Sequence, residues 1–136
     1  MKKTLILIED NDNDAFLVQK AVESHPTKEV EVYRLSSGQE ALEFFSHDSL
    51  NPHPDLIVID LHMPRINGLD ILSVLKSGKW KNIPSIILSG SSNSDHVSQT
   101  FLLQGNSFVQ KSLSLSEFDK MCRTLVDYWF VHGKTP

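Results

Sequence analysis

The sequence predicts an α/β protein with a doubly wound parallel sheet, and three observations carry that expectation. Five short apolar runs alternate with stretches of helical periodicity, which reads as five strand–helix units. The runs Leu5-Ile6-Leu7-Ile8, Leu56-Ile57-Val58-Ile59 and Ser85-Ile86-Ile87-Leu88 are unbroken rather than alternating, as strands are when helices cover both faces. Four of the runs also stop on polar groups: Glu9-Asp10, Asp60, Ser89 and Lys111. In a parallel sheet those carboxyl ends lie side by side, where α/β folds bind ligands.

The elements follow in order. The first strand is expected over Thr4–Ile8; its basic start resembles a signal peptide, but acids end the apolar part after four residues. A first helix over Asp12–Ser24 puts Ala15, Val18, Ala21 and Val22 on one face, with Asp12 and Asp14 at its positive end. The second strand, Val30–Leu35, alternates Val30, Val32 and Leu35 with Glu31, Tyr33 and Arg34, and fits a sheet edge. Ser37 and Glu40 stand at capping-box spacing and open the second helix. Ser46–Pro54, with Pro52 and Pro54 around His53, must leave the helix and form a surface loop. The third strand, Leu56–Ile59, leads to a third helix over Leu69–Lys76. The fourth strand, Ser85–Leu88, runs into the small polar stretch Ser89–Ser94, which lets that strand end flex. A fourth helix covers Asp95–Leu103, with Gly105 as its stop. The fifth strand is Ser107–Gln110, and a capping box from Ser114 to Glu117 starts a fifth helix reaching Val131. Right-handed crossovers join these units into one sheet.

At 136 residues the chain suits one domain, 1–136, with its core in 4–131 and no output domain. It is 40% hydrophobic and 22% charged, as soluble globular proteins are. A formal charge of -4 gives no reason to expect DNA binding, which needs a basic face, and no run of 18 apolar residues offers a membrane span. The single Cys122, between Met121 and Leu125, excludes an internal disulfide and reads as a core thiol. A cytoplasmic location is expected.

Clustered carboxylates repel one another unless a cation sits among them. Mg²⁺ suits such a place, since it takes one or two carboxylates and leaves positions for water and phosphate oxygens. Asp10 and Asp60 are the direct-ligand candidates, Glu9 a direct or water-bridged one, and the His62 backbone carbonyl another. The histidines lack any metal-binding spacing such as His-x-x-x-His, so no zinc site is expected. With the cation bound, Asp60 is a plausible nucleophile toward phosphorus. Charge then gathers on the transferring oxygens, for which Lys111 supplies a cation and Ser89 a hydroxyl donor.

Glu9-Asp10, Asp60 with Met63-Pro64 and Gly68, Ser89 and Lys111, in this order and spacing, resemble a response-regulator receiver domain from residue 4 to about 130. The resemblance implies a flavodoxin-like three-layer sandwich with strand order 2-1-3-4-5. It also implies that Asp60 accepts a phosphoryl group from a sensor histidine kinase or a phosphotransfer protein. Glu9 and Asp10 would help hold Mg²⁺, while Ser89 and Lys111 would contact the phosphoryl group. Phe108 falls at the family's aromatic switch position, so Ser89, the Ser91–Ser94 loop and Phe108 form the expected bistable element. A receiver assists its own phosphorylation and dephosphorylation and is otherwise not an enzyme. The long Ser46–Pro54 loop, Gly105-Asn106-Ser107-Phe108 and the aromatic last helix are similar to stand-alone receivers serving phytochrome-type kinases.

Two departures from the family matter. Ser112 replaces the usual proline after the lysine. A non-proline cis bond costs about 2.5–4 kcal/mol, so Lys111–Ser112 is either trans with an altered loop or cis under strain. Phe108 lacks the common tyrosine hydroxyl. Three rival readings draw on the same residues. An aspartyl phosphatase needs a second acid two residues after Asp60, where His62 stands, and a flavin site needs a Ser/Thr-rich loop in place of Glu9-Asp10-Asn11-Asp12. A pseudo-receiver, docking without phosphorylation, is the alternative within the fold, and the acid pair and Lys111 argue against it. Along the last helix, Phe118, Met121, Cys122, Leu125, Val126, Trp129 and Phe130 make a core stripe. Tyr128-Trp129-Phe130-Val131 cannot all be buried on one face, which leaves fraying over the domain's own surface or a homodimer through the fourth-to-fifth helix face.

Overall fold

The computed structural model describes residues 2–91, 93–111 and 114–132, the last two without their side chains. Strands β1 (Lys3–Ile8), β2 (Val30–Leu35), β3 (Leu56–Asp60), β4 (Ser85–Ser89) and β5 (Ser107–Gln110) form one sheet, all neighbours parallel, in the order β2-β1-β3-β4-β5. Helices α1 (Asp12–Glu23), α2 (Gly38–Phe45), α3 (Gly68–Ser77), α4 (Ser94–Leu102) and α5 (Leu115–Val126) connect them, and a π-helical turn, Asp127–His132, extends α5.

The unbroken apolar runs are the central strands because each of their faces feeds a separate core. Leu5, Leu7, Leu56, Val58, Ile86 and Leu88 point to α1 and α5, where they meet Val18, Val22, Phe118, Cys122 and Val126. Ile6, Ile8, Ile57, Ile59 and Ile87 point the other way, onto Ala41, Phe45, Ile71, Leu72 and Leu75 of α2 and α3. Each such side chain contributes about 1.5–3 kcal/mol by leaving water. The alternating second strand lies at the sheet edge, as its pattern requires, with Val30, Val32 and Leu35 buried.

Several ends differ from the sequence expectation. At α2 the box is only half made: Ser37 Oγ accepts from the Glu40 N–H, whereas the Glu40 carboxylate takes the Ser36 hydroxyl at 2.8 Å. A complete capping box is made by Asn67 and Asp70, so that α3 starts at Gly68, one residue before its expected start. At the end of α4 the left-handed residue is Gln104 (φ 67°), not Gly105. The Gln104 N–H donates to Phe101 O and the Gly105 N–H to Thr100 O, a Schellman closure with glutamine in the glycine place. Gly105 is needed instead for space, since a Cβ there would lie 2.7 Å from Thr100 Cγ2.

The α2–β3 loop buries Leu50 and is fastened by Trp80 Nε1 donating to Phe45 O at 2.9 Å. After Val126 the backbone leaves α geometry. That widened turn begins at Asp127, whose carboxylate accepts from His25 Nε2 at 2.6 Å; His25 Nδ1 itself accepts from the Lys28 N–H. The core stripe of α5 is as the spacing predicts, with Phe118, Cys122 and Val126 buried and Met121, Leu125, Trp129 and Phe130 packed partly against them. Cys122 is a buried thiol, and burial pushes its pKa up to about 12. Ser92, the Lys111–Ser112 peptide bond and the tail after His132 lie outside the described residues.

Candidate functional site

Parallel register brings the polar strand ends together. Ile8 pairs with Ile59, Asp60 with Leu88, and Ser89 with Gln110, so Glu9, Asp60, Ser89 and Lys111 emerge on one rim of the sheet. A cleft of about 500 Å³ opens there, lined by Glu9, Asp10, Asn11, Asp14, Asp60, His62, Gly90 and Lys111. Asp60 is 4% exposed and Glu9 fully buried, while Asp10 faces solvent.

Lys111 is the centre of this cleft. Its Nζ lies 2.9 Å from Glu9 Oε1, 2.9 Å from Asp14 Oδ2 and 3.1 Å from Asp60 Oδ1. Burial works against the ammonium charge, but these carboxylates more than offset it and raise its pKa above the usual lysine value. For Glu9, burial dominates and lifts the carboxyl to about 7, with Lys111 opposing and Asp60 adding repulsion. Burial likewise raises Asp60, against the attraction of Lys111. Three carboxylates therefore share one lysine in a poorly hydrated place.

Carboxylate oxygens of Glu9, Asp10 and Asp60 all come within 4.8 Å of one another. Such an all-oxygen set, short of positive charge, fits a hard divalent cation such as Mg²⁺. The loop after β3 keeps Asp60 in place. The Gly68 N–H donates to Leu61 O at 2.9 Å, and a Cβ on Gly68 would lie 2.5 Å from Asp60 O, so only glycine allows this approach. Arg65 sits at φ 69° under an Ile66 N–H to Pro64 O bond, the rarer and more strained kind of γ-turn. Strain of this sort persists where surrounding contacts over-determine a functional loop.

The remaining residues fall as follows. Ser89 is buried at the end of β4, where its Oγ accepts from the Ser91 N–H at 3.2 Å. The Lys111 N–H donates to Ser89 O, tying the two strand ends. Phe108 is half-buried against the α2–α3 core. His62 lines the cleft, with an exposed ring. Trp129 and Phe130 are partly taken up by the core, and Tyr128 is 58% exposed.

Sequence reasoning missed two members. Asp14 reads as a helix-end charge, yet it anchors Lys111 from 97 residues away. Arg34 reads as an outward strand residue, but β2 beside β1 lets its Nε donate to Glu9 O at 3.0 Å and Nη1 pair with Asp12 at 2.8 Å. The strand order, once known, is the signal that finds Arg34; no local pattern finds Asp14.

The chain is similar to known proteins in both sequence and fold. Response regulator Rcp1 of Synechocystis sp. is 30% identical over 131 residues, covering 93% of this chain and 88% of that protein. The crystal structure of the phosphorylated cyanobacterial phytochrome response regulator RcpA superposes with a TM-score of 0.90 at 30% identity, covering 100% of this chain and 99% of that one. The Mn²⁺-bound form of Rcp1 gives 0.89 at 30% identity, over 98% and 99%. Residues 5–123 match the family described as the response regulator receiver domain. The chain belongs to that family of two-component signalling proteins.

Proposed function

We propose that Asp60 is the phosphoacceptor of this receiver and that Glu9, Asp10, Asp60 and the His62 backbone carbonyl hold Mg²⁺. The observation that carries this reading is Lys111 Nζ lying 3.1 Å from Asp60 within an acidic cluster short of positive charge. An Asp60 carboxylate oxygen attacks phosphorus, and the P–N bond of the donor phosphohistidine breaks. The departing imidazole keeps the bond pair and takes a proton from solvent. Mg²⁺, when bound, offsets the charge of the phosphoryl oxygens. Lys111 steadies the new acyl phosphate by moving its ammonium from Glu9 and Asp60 toward the added charge. Ser89, freed from the Ser91 N–H, turns its hydroxyl onto a phosphoryl oxygen, and Phe108 fills the space it leaves.

Receivers of this kind interact with sensor histidine kinases. The likeness to RcpA supports a phytochrome-type kinase as donor, directly or through a phosphotransfer protein. In this reading the domain delivers its output in the cytoplasm by changing the surface it offers a partner. No described helix is long and apolar enough to cross a membrane.

The test is intact mass after incubation with acetyl phosphate and Mg²⁺, for wild type and Asp60→Asn. One phosphoryl adduct is expected on wild type, dependent on Mg²⁺ and absent from the variant. An adduct that persists in Asp60→Asn would move the acceptor elsewhere. No adduct on wild type, together with no Mg²⁺ binding, would leave a docking module that works without phosphorylation.

A further inference from the structure

Outside the acidic cluster, the fold assembles two histidines that are 34 positions apart in the chain. His62, in the loop after β3, and His96, in the first turn of α4, have ring centroids 5.6 Å apart at an interplanar angle of 67°. His96 Nδ1 is buried and has no hydrogen-bond partner among the described residues. Buried ring nitrogens in folded proteins are nearly always partnered, and an orphan marks a place where an ion or a water belongs.

We propose that His62 and His96 form a binding site for a borderline divalent transition metal, Zn²⁺ or Ni²⁺ in class, separate from the Glu9–Asp10–Asp60 cluster. Metal–imidazole bonds are about 2.0–2.1 Å, which puts the centroids of two rings on one ion roughly 5–6 Å apart. The observed separation of 5.6 Å falls within that range. Imidazole pairs select zinc, copper or nickel over Mg²⁺, which prefers oxygen. A cation near the first turn of a helix meets the positive end of its dipole. Asp95 in that turn and the acidic cleft beside His62 offset this. Local spacing cannot reveal such a site, because its ligands come from two elements that only the fold makes neighbours. An ion held there would tie α4 to the loop that follows Asp60.

The test is calorimetric titration of the full chain with Zn²⁺ in saturating Mg²⁺, for wild type, His62→Ala, His96→Gln and Asp10→Asn. Loss of a group that merely supports a ligand costs about 10–100-fold in affinity, so loss of a ligand should cost at least tenfold. One equivalent is expected on wild type and Asp10→Asn, with at least that loss in each histidine variant. Should His96→Gln fail to fold, His62→Ala, altered at an exposed side chain, carries the comparison. The proposal is overturned if wild type takes up no zinc, if the site survives both histidine changes, or if Asp10→Asn abolishes it. None of these arms depends on Asp60 being phosphorylated, so failure of that reading remains distinguishable.

Discussion

The carboxyl group of Glu9 is the most perturbed acid in the cleft for a physical reason that can be tested. Burial lifts it from 4.5 to about 7, although Lys111 lies 2.9 Å away. An acid whose pKa is higher folded than unfolded stabilises the fold most below the unfolded value. That contribution is lost as pH rises from about 4.5 through 7. Cation binding has the opposite dependence, because it needs the carboxylate. Mg²⁺ affinity should therefore fall about tenfold between pH 8 and pH 6, with proton release on binding. Titration calorimetry in two buffers of different ionisation enthalpy measures both. Glu9→Gln should remove the proton release, and equal affinity at the two pH values would mean that Glu9 is already ionised without the cation. The acid pair and Lys111 were legible in the sequence because each sits at a strand end. Their ion-pair network was not, since Asp14 and Lys111 meet only through the packing of α1 beside α5 on one face of the sheet.

At the scale of elements, the strands were readable because burial on both faces leaves an unbroken apolar run, as in Leu56–Ile59. Helix ends were less readable. Asn11, Asn67 and Asn93 are the N-caps of α1, α3 and α4, and asparagine in a polar stretch looks the same as any loop residue. The π-helical turn after Val126 follows from no local pattern, since a single widened turn is too short to change a periodicity. Two substitutions check the end geometries that only the structure shows. Gln104→Gly relieves a left-handed residue in the α4 closure and should stabilise the protein by about 0.5–1 kcal/mol, raising Tm by a few degrees. Gly68→Ala drives a Cβ into Asp60 O and should cost about 1–3 kcal/mol in chemical denaturation, and also slow adduct formation at Asp60. Gly78→Ala is the control, because a Cβ there meets only Val74 O at 3.4 Å. Equal midpoints for Gly68→Ala and Gly78→Ala would refute the packing argument.

At the scale of the whole molecule, three exposed apolar side chains flank the edge strand β5. Phe101 and Leu102 of α4 are 54% and 81% exposed, and Tyr128 beyond α5 is 58% exposed. Between β5 and α5 lies a hollow of about 270 Å³ lined by Asn106, Ser107, Thr124, Leu125, Tyr128 and Trp129. A short edge strand flanked by such residues is suited to meeting its own copy, since a two-fold contact would pair the same patch on each subunit. Trp129 is a poor probe of that contact, because it packs partly into its own core and its loss would also weaken the fold. Tyr128 separates the two effects. Tyr128→Ala and Leu102→Ala should leave Tm nearly unchanged while weakening self-association by about 1–2 kcal/mol, or roughly 5–30-fold in dimer Kd. Sedimentation velocity over a concentration series, with and without acetyl phosphate, measures this directly. A wild type that stays monomeric under both conditions would exclude the dimer and assign the α4–β5–α5 patch to a different partner; a dimer indifferent to both substitutions would locate the contact elsewhere on the surface.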